Sequence, residues 1–238
     1  MCGRFTQRMT WRELHERMDL IGTPLNLRPR YNVAPGQDVA VVRAADPGSG
    51  SGAGPGRGLA MLRWGLIPAW AKDPAIAWKL INARSETAAE KPSFRSAFRQ
   101  RRCLIPADGF YEWQRRDGNK QTWLFGLPDD APFAFAGLWE QWRIPEGAAL
   151  TGSLAERNPG DTVETCTILT TAANDTVAPV HGRMPVILPP DAWGPWLAGE
   201  DVPLAPYPAD AMTAHPVSTL VNRAANEDPR CVEPITLT

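Results

Sequence analysis

No stretch of this 238-residue sequence reads as a membrane span, because no run of about 18 apolar residues occurs. The first residues lack the apolar segment of a secretory signal, so export is not expected. Cysteine is scarce: Cys2, Cys103, Cys166 and Cys231 are far apart and form no Cys-x-x-Cys pair. That argues against a zinc ribbon or a disulfide scaffold and points to a reducing, cytoplasmic setting. Histidine is scarcer still. His15, His181 and His215 show no His-x-x-x-His spacing, so neither a metal nor another cofactor is expected. Net charge is nearly absent as well, at −1, and says nothing by itself for or against a nucleic-acid partner.

What is present is enough apolar material, 43% of residues, for a sizeable core. No repeat and no compositional break divides the chain, so one domain over residues 1–238 is expected. Charge is unevenly shared along it: residues 1–120 carry 20 Lys+Arg against 11 Asp+Glu, and residues 121–238 carry 5 against 15. A basic half folded beside an acidic half can present one positive face, unless the charges interleave in space. Arginine dominates the basic set, which suits two-pronged contacts to phosphate.

Thr10-Trp11-Arg12-Glu13 is a capping-box pattern and predicts a helix through about Leu20. Arg30–Gly36 reads as a turn-rich loop. Val39–Arg43 and Leu59–Trp64 read as strands, joined by a flexible Gly/Ser/Pro-rich connection over 46–58. Short helices are expected near Ser85–Ala89, Phe94–Arg99, Asp175–Val180 and Pro190–Leu197. Strands are expected at Cys103–Ile105, Phe110–Gln114, Thr122–Phe125, Phe133–Leu138, Val163–Thr171 and Val186–Leu188. The sum is an α+β fold: a strongly bent antiparallel sheet or pseudo-barrel with peripheral helices.

The residue with the most chemistry is Cys2. A small residue after the initiator Met favours removal of that Met, which would leave Cys2 with a free amine and a thiol two carbons apart. Such a 1,2-aminothiol can form a Schiff base with an aldehyde and then close a five-membered thiazolidine ring. Free α-amino groups titrate near ~7.7–8.0 and thiols near ~8.5, so modest tuning makes both nucleophilic. The bland alternative is an inert, frayed terminus.

Three polar islands stand in otherwise apolar surroundings: Ile81-Asn82-Ala83-Arg84-Ser85-Glu86-Thr87, Cys103–Trp113 with Asp108-Gly109-Phe110-Tyr111-Glu112-Trp113 at its end, and His181-Gly182-Arg183-Met184-Pro185. Each alone is weak, since a Glu between Tyr and Trp usually faces solvent and a His before Gly is usually a turn residue. Ten tryptophans are present, most of them expected in the core. Trp70, in the loop Ile67-Pro68-Ala69-Trp70, is a candidate for base stacking.

Taken with Met1-Cys2-Gly3-Arg4-Phe5, Arg30–Pro35, Arg63–Pro68, His215–Ser218 and Val221-Asn222, these islands resemble the SRAP family, the SOS response-associated peptidases and abasic-site processing proteins. The resemblance runs nearly end to end. It implies a protein of the DNA damage response that binds single-stranded DNA as a monomer and captures abasic sites covalently through Cys2. It also implies a thiol autopeptidase step that exposes Cys2, and lyase-like cleavage in some settings. By the same resemblance Cys2, Asn82, Glu112 and His181 are the catalytic set. Arg4, Arg84 and Arg183 would hold phosphates and Trp70 would stack on bases. A cytoplasmic protein, on the nucleoid when bound to DNA, follows. The cluster Arg95, Arg99, Arg101 and Arg102 fits DNA contact or a solvated face equally well, and Cys103, Cys166 and Cys231 are expected as small buried hydrophobes. Two other readings compete: a thiol peptidase with Cys2 as nucleophile, and a noncovalent reader of modified bases.

Overall fold

The β-branched and alternating stretches of the sequence become strands that close on one another. The computed structural model describes residues 2–45, 56–116 and 118–237. In chain order the elements are β1 (Phe5–Gln7), α1 (Trp11–Met18), β2 (Leu20–Ile21), β3 (Arg30–Val33), β4 (Asp38–Ala44), β5 (Arg57–Trp64) and β6 (Asn82–Arg84). Next come α2 (Ser85–Ala88), α3 (Arg95–Gln100), β7 (Arg102–Ala107), β8 (Gly109–Arg116), β9 (Asn119–Gly126), β10 (Phe133–Arg143) and β11 (Thr162–Ala172). Then β12 (Arg183–Pro185), β13 (Ile187–Leu188), α4 (Pro190–Leu197) and β14 (Thr213–Val217) follow. Among the described residues no helix is long and apolar enough to cross a membrane.

Strands β5, β4, β7, β10 and β11 pair in that order, and β11 returns to β5 in parallel through Thr165↔Arg63 and Cys166↔Trp64. The sheet thereby closes into a five-stranded barrel, which leaves no open edge along that path. A second sheet, in the order β14-β9-β8-β1-β3, lies beside it. The α+β pseudo-barrel expected from the sequence is therefore the fold.

The central strands are buried on both faces, and β7 is buried at every position. Val39, Val41, Cys103, Ile105, Phe135, Cys166 and Ile168 pack with Phe5 and Trp64. Val42, Leu104, Ala134, Ala136 and Leu138 meet Leu14, Met18, Ala97, Trp193 and Trp196 of the covering helices. This is why the strands read as continuous apolar runs rather than as clean alternation. Phe5 joins β1 to the barrel, its ring edge-on to Trp64 at 5.1 Å and to Phe135 at 5.7 Å.

Helix α1 begins with the expected capping box: Thr10 Oγ1 accepts from the Glu13 amide at 3.3 Å, and the Glu13 carboxylate accepts from the Thr10 amide at 2.7 Å. It ends two residues earlier than expected, because Asp19 turns left-handed (φ 49°, ψ 50°) and Leu20 enters β2. Three further expectations are corrected. Arg30–Val33 is a strand, because β1 supplies a partner for it (Phe5↔Val33, Gln7↔Arg30). Residues 175–180 form hydrogen-bonded turns instead of a helix, since Pro179 has no amide to donate and disfavours helical geometry at Ala178. Of the connection at 46–58, residues 46–55 lie outside the described residues, while Arg57 and Gly58 already belong to β5 and pair with Ala44 and Arg43. Strand β14, unread in the sequence, holds Pro216 at a sheet edge, where a missing amide is tolerated.

Candidate active site

The site is assembled from four chain segments that meet where the second sheet joins the barrel. Cys2 lies three residues before the start of β1, which is pinned on both sides by β3 and β8. The Tyr111 amide also donates to Arg4 O at 3.0 Å. Cys2 is accordingly fully buried rather than frayed. Its Sγ lies 3.6 Å from Arg4 O, as a weak donor. Burial pushes the thiol's pKa well up, and the Glu112 carboxylate adds to that. The sulfur therefore rests as a thiol, and it needs a base before it can attack.

Asn82 opens β6, which runs parallel to β11 (Ile168↔Asn82). Just before it, Ile81 O accepts from Trp64 Nε1 at 2.9 Å, fixing the approach to β6. Asn82 Nδ2 donates to Cys2 O at 2.8 Å. The Asn82 Oδ1 is buried and receives no hydrogen bond from the described residues. A buried acceptor left open is costly in a packed interior, so this oxygen is a place to look for function.

Glu112 sits on β8 between Tyr111 and Trp113, yet it is 3% exposed. Tyr111 turns the other way, into a cluster with Leu124, Val217, Val221 and Cys231. Burial raises the Glu112 pKa, and the charge of His181 opposes that rise. His181 Nδ1 lies 4.0 Å from Glu112 Oε1. The same Nδ1 lies 3.0 Å from both the amide and the carbonyl of Arg183, so whether it accepts or donates there follows the ring's tautomer.

The four arginine and tryptophan candidates fall into two groups. Arg84, at the end of β6, and Trp70 are exposed, Trp70 at 60% on a connection that borders a cavity of about 530 Å³ with Lys72 and Lys79. Arg4 and Arg183 are tied down. Arg4 Nη1 donates to Asn32 Oδ1 at 2.8 Å and to Val221 O at 2.7 Å, clamping the C-terminal segment over β1 and β3. Arg183 makes a two-pronged pair with Glu86, at 2.8 and 2.9 Å, and donates to Thr170 O at 2.5 Å. Arg84 pairs with that same Thr170 across β6 and β11, so the two arginines flank one strand. In the Arg95–Arg102 cluster, Arg101 pairs with Glu140 at 2.7 Å, and Arg102 lies over Trp196 with its donors on Phe98 O and Glu200 O. Those two arginines are structural.

Sequence reasoning gave no role to Asn32, whose Nδ2 donates to the carbonyls of Val221, Arg223 and Asn226. Asn222 entered only as part of the resembling tail, with no role given; its Oδ1 accepts from Trp113 Nε1 at 2.7 Å. Their partners are remote in sequence, so no local pattern signals them. All four cysteines are free and buried. Among the described residues no three His, Cys, Asp or Glu side chains converge as a metal cage.

The family model described as SOS response associated peptidase (SRAP) matches residues 1–224. The chain belongs to the SRAP family. Its SRAP relatives include an abasic site processing protein, YoqW, of Bacillus subtilis (strain 168), 42% identical over 98% of this chain and 99% of that protein. Another is the abasic site processing protein HMCES of Xenopus tropicalis, 33% identical over 89% of this chain and 68% of that protein. Among solved structures, a protein from Bordetella bronchiseptica superposes with a TM-score of 0.72 at 30% identity, over 91% of this chain and all of that one. A protein from Bacteroides thetaiotaomicron superposes more closely, with a TM-score of 0.82 over 99% of this chain and all of that one. At 22% identity that likeness shows that the SRAP fold is shared.

Proposed function

We propose that this SRAP protein processes abasic sites in single-stranded DNA by trapping them on Cys2 after Met1 is removed. The observation that carries the reading is the convergence on Cys2. Asn82 holds its carbonyl at 2.8 Å, and Glu112, which faces His181 at 4.0 Å, is close enough to shift its thiol. The names of the relatives support the substrate.

The chemistry follows from the groups present. The ring-opened sugar of an abasic site carries an aldehyde at C1′. The Cys2 amine adds to that carbon, the carbinolamine loses one water, and an imine remains. The thiol then adds across the imine: sulfur joins C1′, the proton ends on nitrogen, and a thiazolidine closes with no further loss of atoms. His181 is suited to protonate the sugar ring oxygen during opening. Glu112, with its raised pKa, can donate the proton that leaves with water and then accept the thiol proton. The open Asn82 Oδ1 can take a hydrogen bond from the Cys2 amine once Met1 is gone. Phosphate contacts from Arg84, with Arg4 and Arg183 behind them, and stacking on Trp70 would seat the strand without reading sequence.

The test uses purified protein and an oligonucleotide with one abasic site. We expect a heat-stable adduct, at most one per protein, and none with the undamaged strand. An extension ahead of Met1 that blocks its removal is expected to abolish the adduct without unfolding the protein. Repeated release of products from peptides, with no adduct, would favour the thiol peptidase reading instead.

A further inference from the structure

Outside the cluster around Cys2, one side chain is buried in a way that its own partners do not explain. Arg63 on β5 is 8% exposed. A buried cation ordinarily has a carboxylate against it. Among the described residues Arg63 has none within 4.0 Å, and its one hydrogen bond runs from Nε to Ser153 Oγ at 3.3 Å. Asp38, opposite it on the β4–β5 ladder, acts only as a more distant charge, against the lowering that burial imposes on the guanidinium's pKa.

The guanidinium borders a pocket of about 220 Å³ that is also lined by Gly36, Gln37, Trp78, Thr151 and Ser153. Trp78 is 61% exposed, with its ring centroid 5.8 Å from Arg63 Cζ. Gly36 keeps the pocket open. A Cβ there would come within 3.0 Å of the Trp78 ring and 3.3 Å of Arg63 Nη2, and its φ of +83° also favours glycine. A cation short of partners, two hydroxyls and an exposed indole therefore share one small cavity. It is too small for a drug-sized molecule, at roughly 300 Å³ and above. It suits a phosphate held by the guanidinium, with a flat base lying on the indole outside.

The pocket is close to the reacting residues. Arg63 is followed by Trp64, whose ring meets Phe5 and whose Nε1 bonds Ile81 O, next to Asn82. Trp78 stands four residues before Asn82, a stretch that spans at most about 14 Å. Trp70 lies on the same connection.

The geometry points to the Arg63–Trp78 pocket as a subsite for one nucleotide of the strand that flanks the reacting sugar, its phosphate on Arg63 and Ser153 and its base on Trp78. This rests on the reading that Cys2 acts on single-stranded DNA. The test compares wild type, Trp78→Ala and Arg63→Met on two substrates: 2-deoxyribose 5-phosphate, which offers the aldehyde with no flanking nucleotide, and a fifteen-nucleotide strand with a central abasic site. Trp78→Ala is expected to weaken binding of the long strand about 5- to 150-fold. Arg63→Met is expected to lower the slope of log affinity against log salt by about 0.7, the loss of one phosphate contact. Both variants are expected to react with 2-deoxyribose 5-phosphate as wild type does, because it has no nucleotide for the subsite to hold. Trp78 is exposed, so its variant decides the matter even if Arg63→Met fails to fold. Unchanged long-strand binding by Trp78→Ala overturns the subsite. So does tight binding of inorganic phosphate or thymidine 5′-monophosphate to the pocket with no effect of Trp78→Ala on the strand, which assigns it to a free ligand. Failure of wild type to react with either substrate counts against the Cys2 reading instead.

Discussion

The Cys2→Ala protein is expected to give no heat-stable adduct with an abasic strand, while keeping its fold and its noncovalent affinity for single-stranded DNA. Alanine keeps the terminal amine but removes the sulfur, so chemistry stops at a reversible imine. Cys2→Ser should behave alike, because its hydroxyl is a far weaker nucleophile toward the imine. In both variants borohydride reduction should recover an adduct that heating otherwise destroys. The readout is a denaturing gel with and without borohydride. The fold should survive because Cys2 is a small side chain in a large apolar cluster, where its loss leaves a small cavity. An unreduced, heat-stable adduct at wild-type yield in the alanine variant would remove the thiol from the account.

Glu112→Gln has the second largest expected effect, and it acts in opposite directions on activity and stability. Without a group that can give and take a proton, cross-linking should slow by about 10²–10⁴-fold. Stability should rise at neutral pH. Burial raises the Glu112 pKa in the folded state, so folding favours the protonated carboxyl. The stability linked to this group is full below the ordinary carboxylate pKa and is lost as pH rises through the raised value. Glutamine cannot ionise, so the variant should track wild type at acid pH and exceed it above that window. Urea midpoints at about pH 4 and about pH 8 read the difference, which should widen with pH. A variant destabilised equally at both values would mean that Glu112 serves packing rather than proton transfer.

Both expectations turn on burial, and burial is the part of the site that the sequence conceals. The strand carrying Tyr111-Glu112-Trp113 is legible from its alternation, and alternation alone sends Glu112 to solvent. The segment around His181, far along the chain and following a run of turns, comes within 4.0 Å of it. Barrel strands were legible from β-branched runs such as Val163–Thr171, but the parallel return of β11 to β5 joins residues about a hundred positions apart and leaves no local mark. The candidate set Cys2, Asn82, Glu112 and His181 comes from family resemblance, because no spacing connects the four. Arg4 shows the limit most plainly. The resemblance gives it to phosphate, and nothing in the sequence shows that its guanidinium also clamps Val221 and Asn32. A charge can be counted from sequence, but its partner cannot. The same holds for Arg63, which reads as one more basic residue on a strand until its burial without a carboxylate is seen.

The central claim is that nitrogen and sulfur of one residue grip one sugar carbon. The most direct measurement is intact mass and peptide mapping of the adduct formed with an abasic oligonucleotide. The account predicts a mass equal to protein lacking Met1 plus oligonucleotide minus one water, with the cross-link confined to the peptide that begins at Cys2. An adduct that retains Met1, or one mapped to a lysine or to Cys103, Cys166 or Cys231, would contradict it.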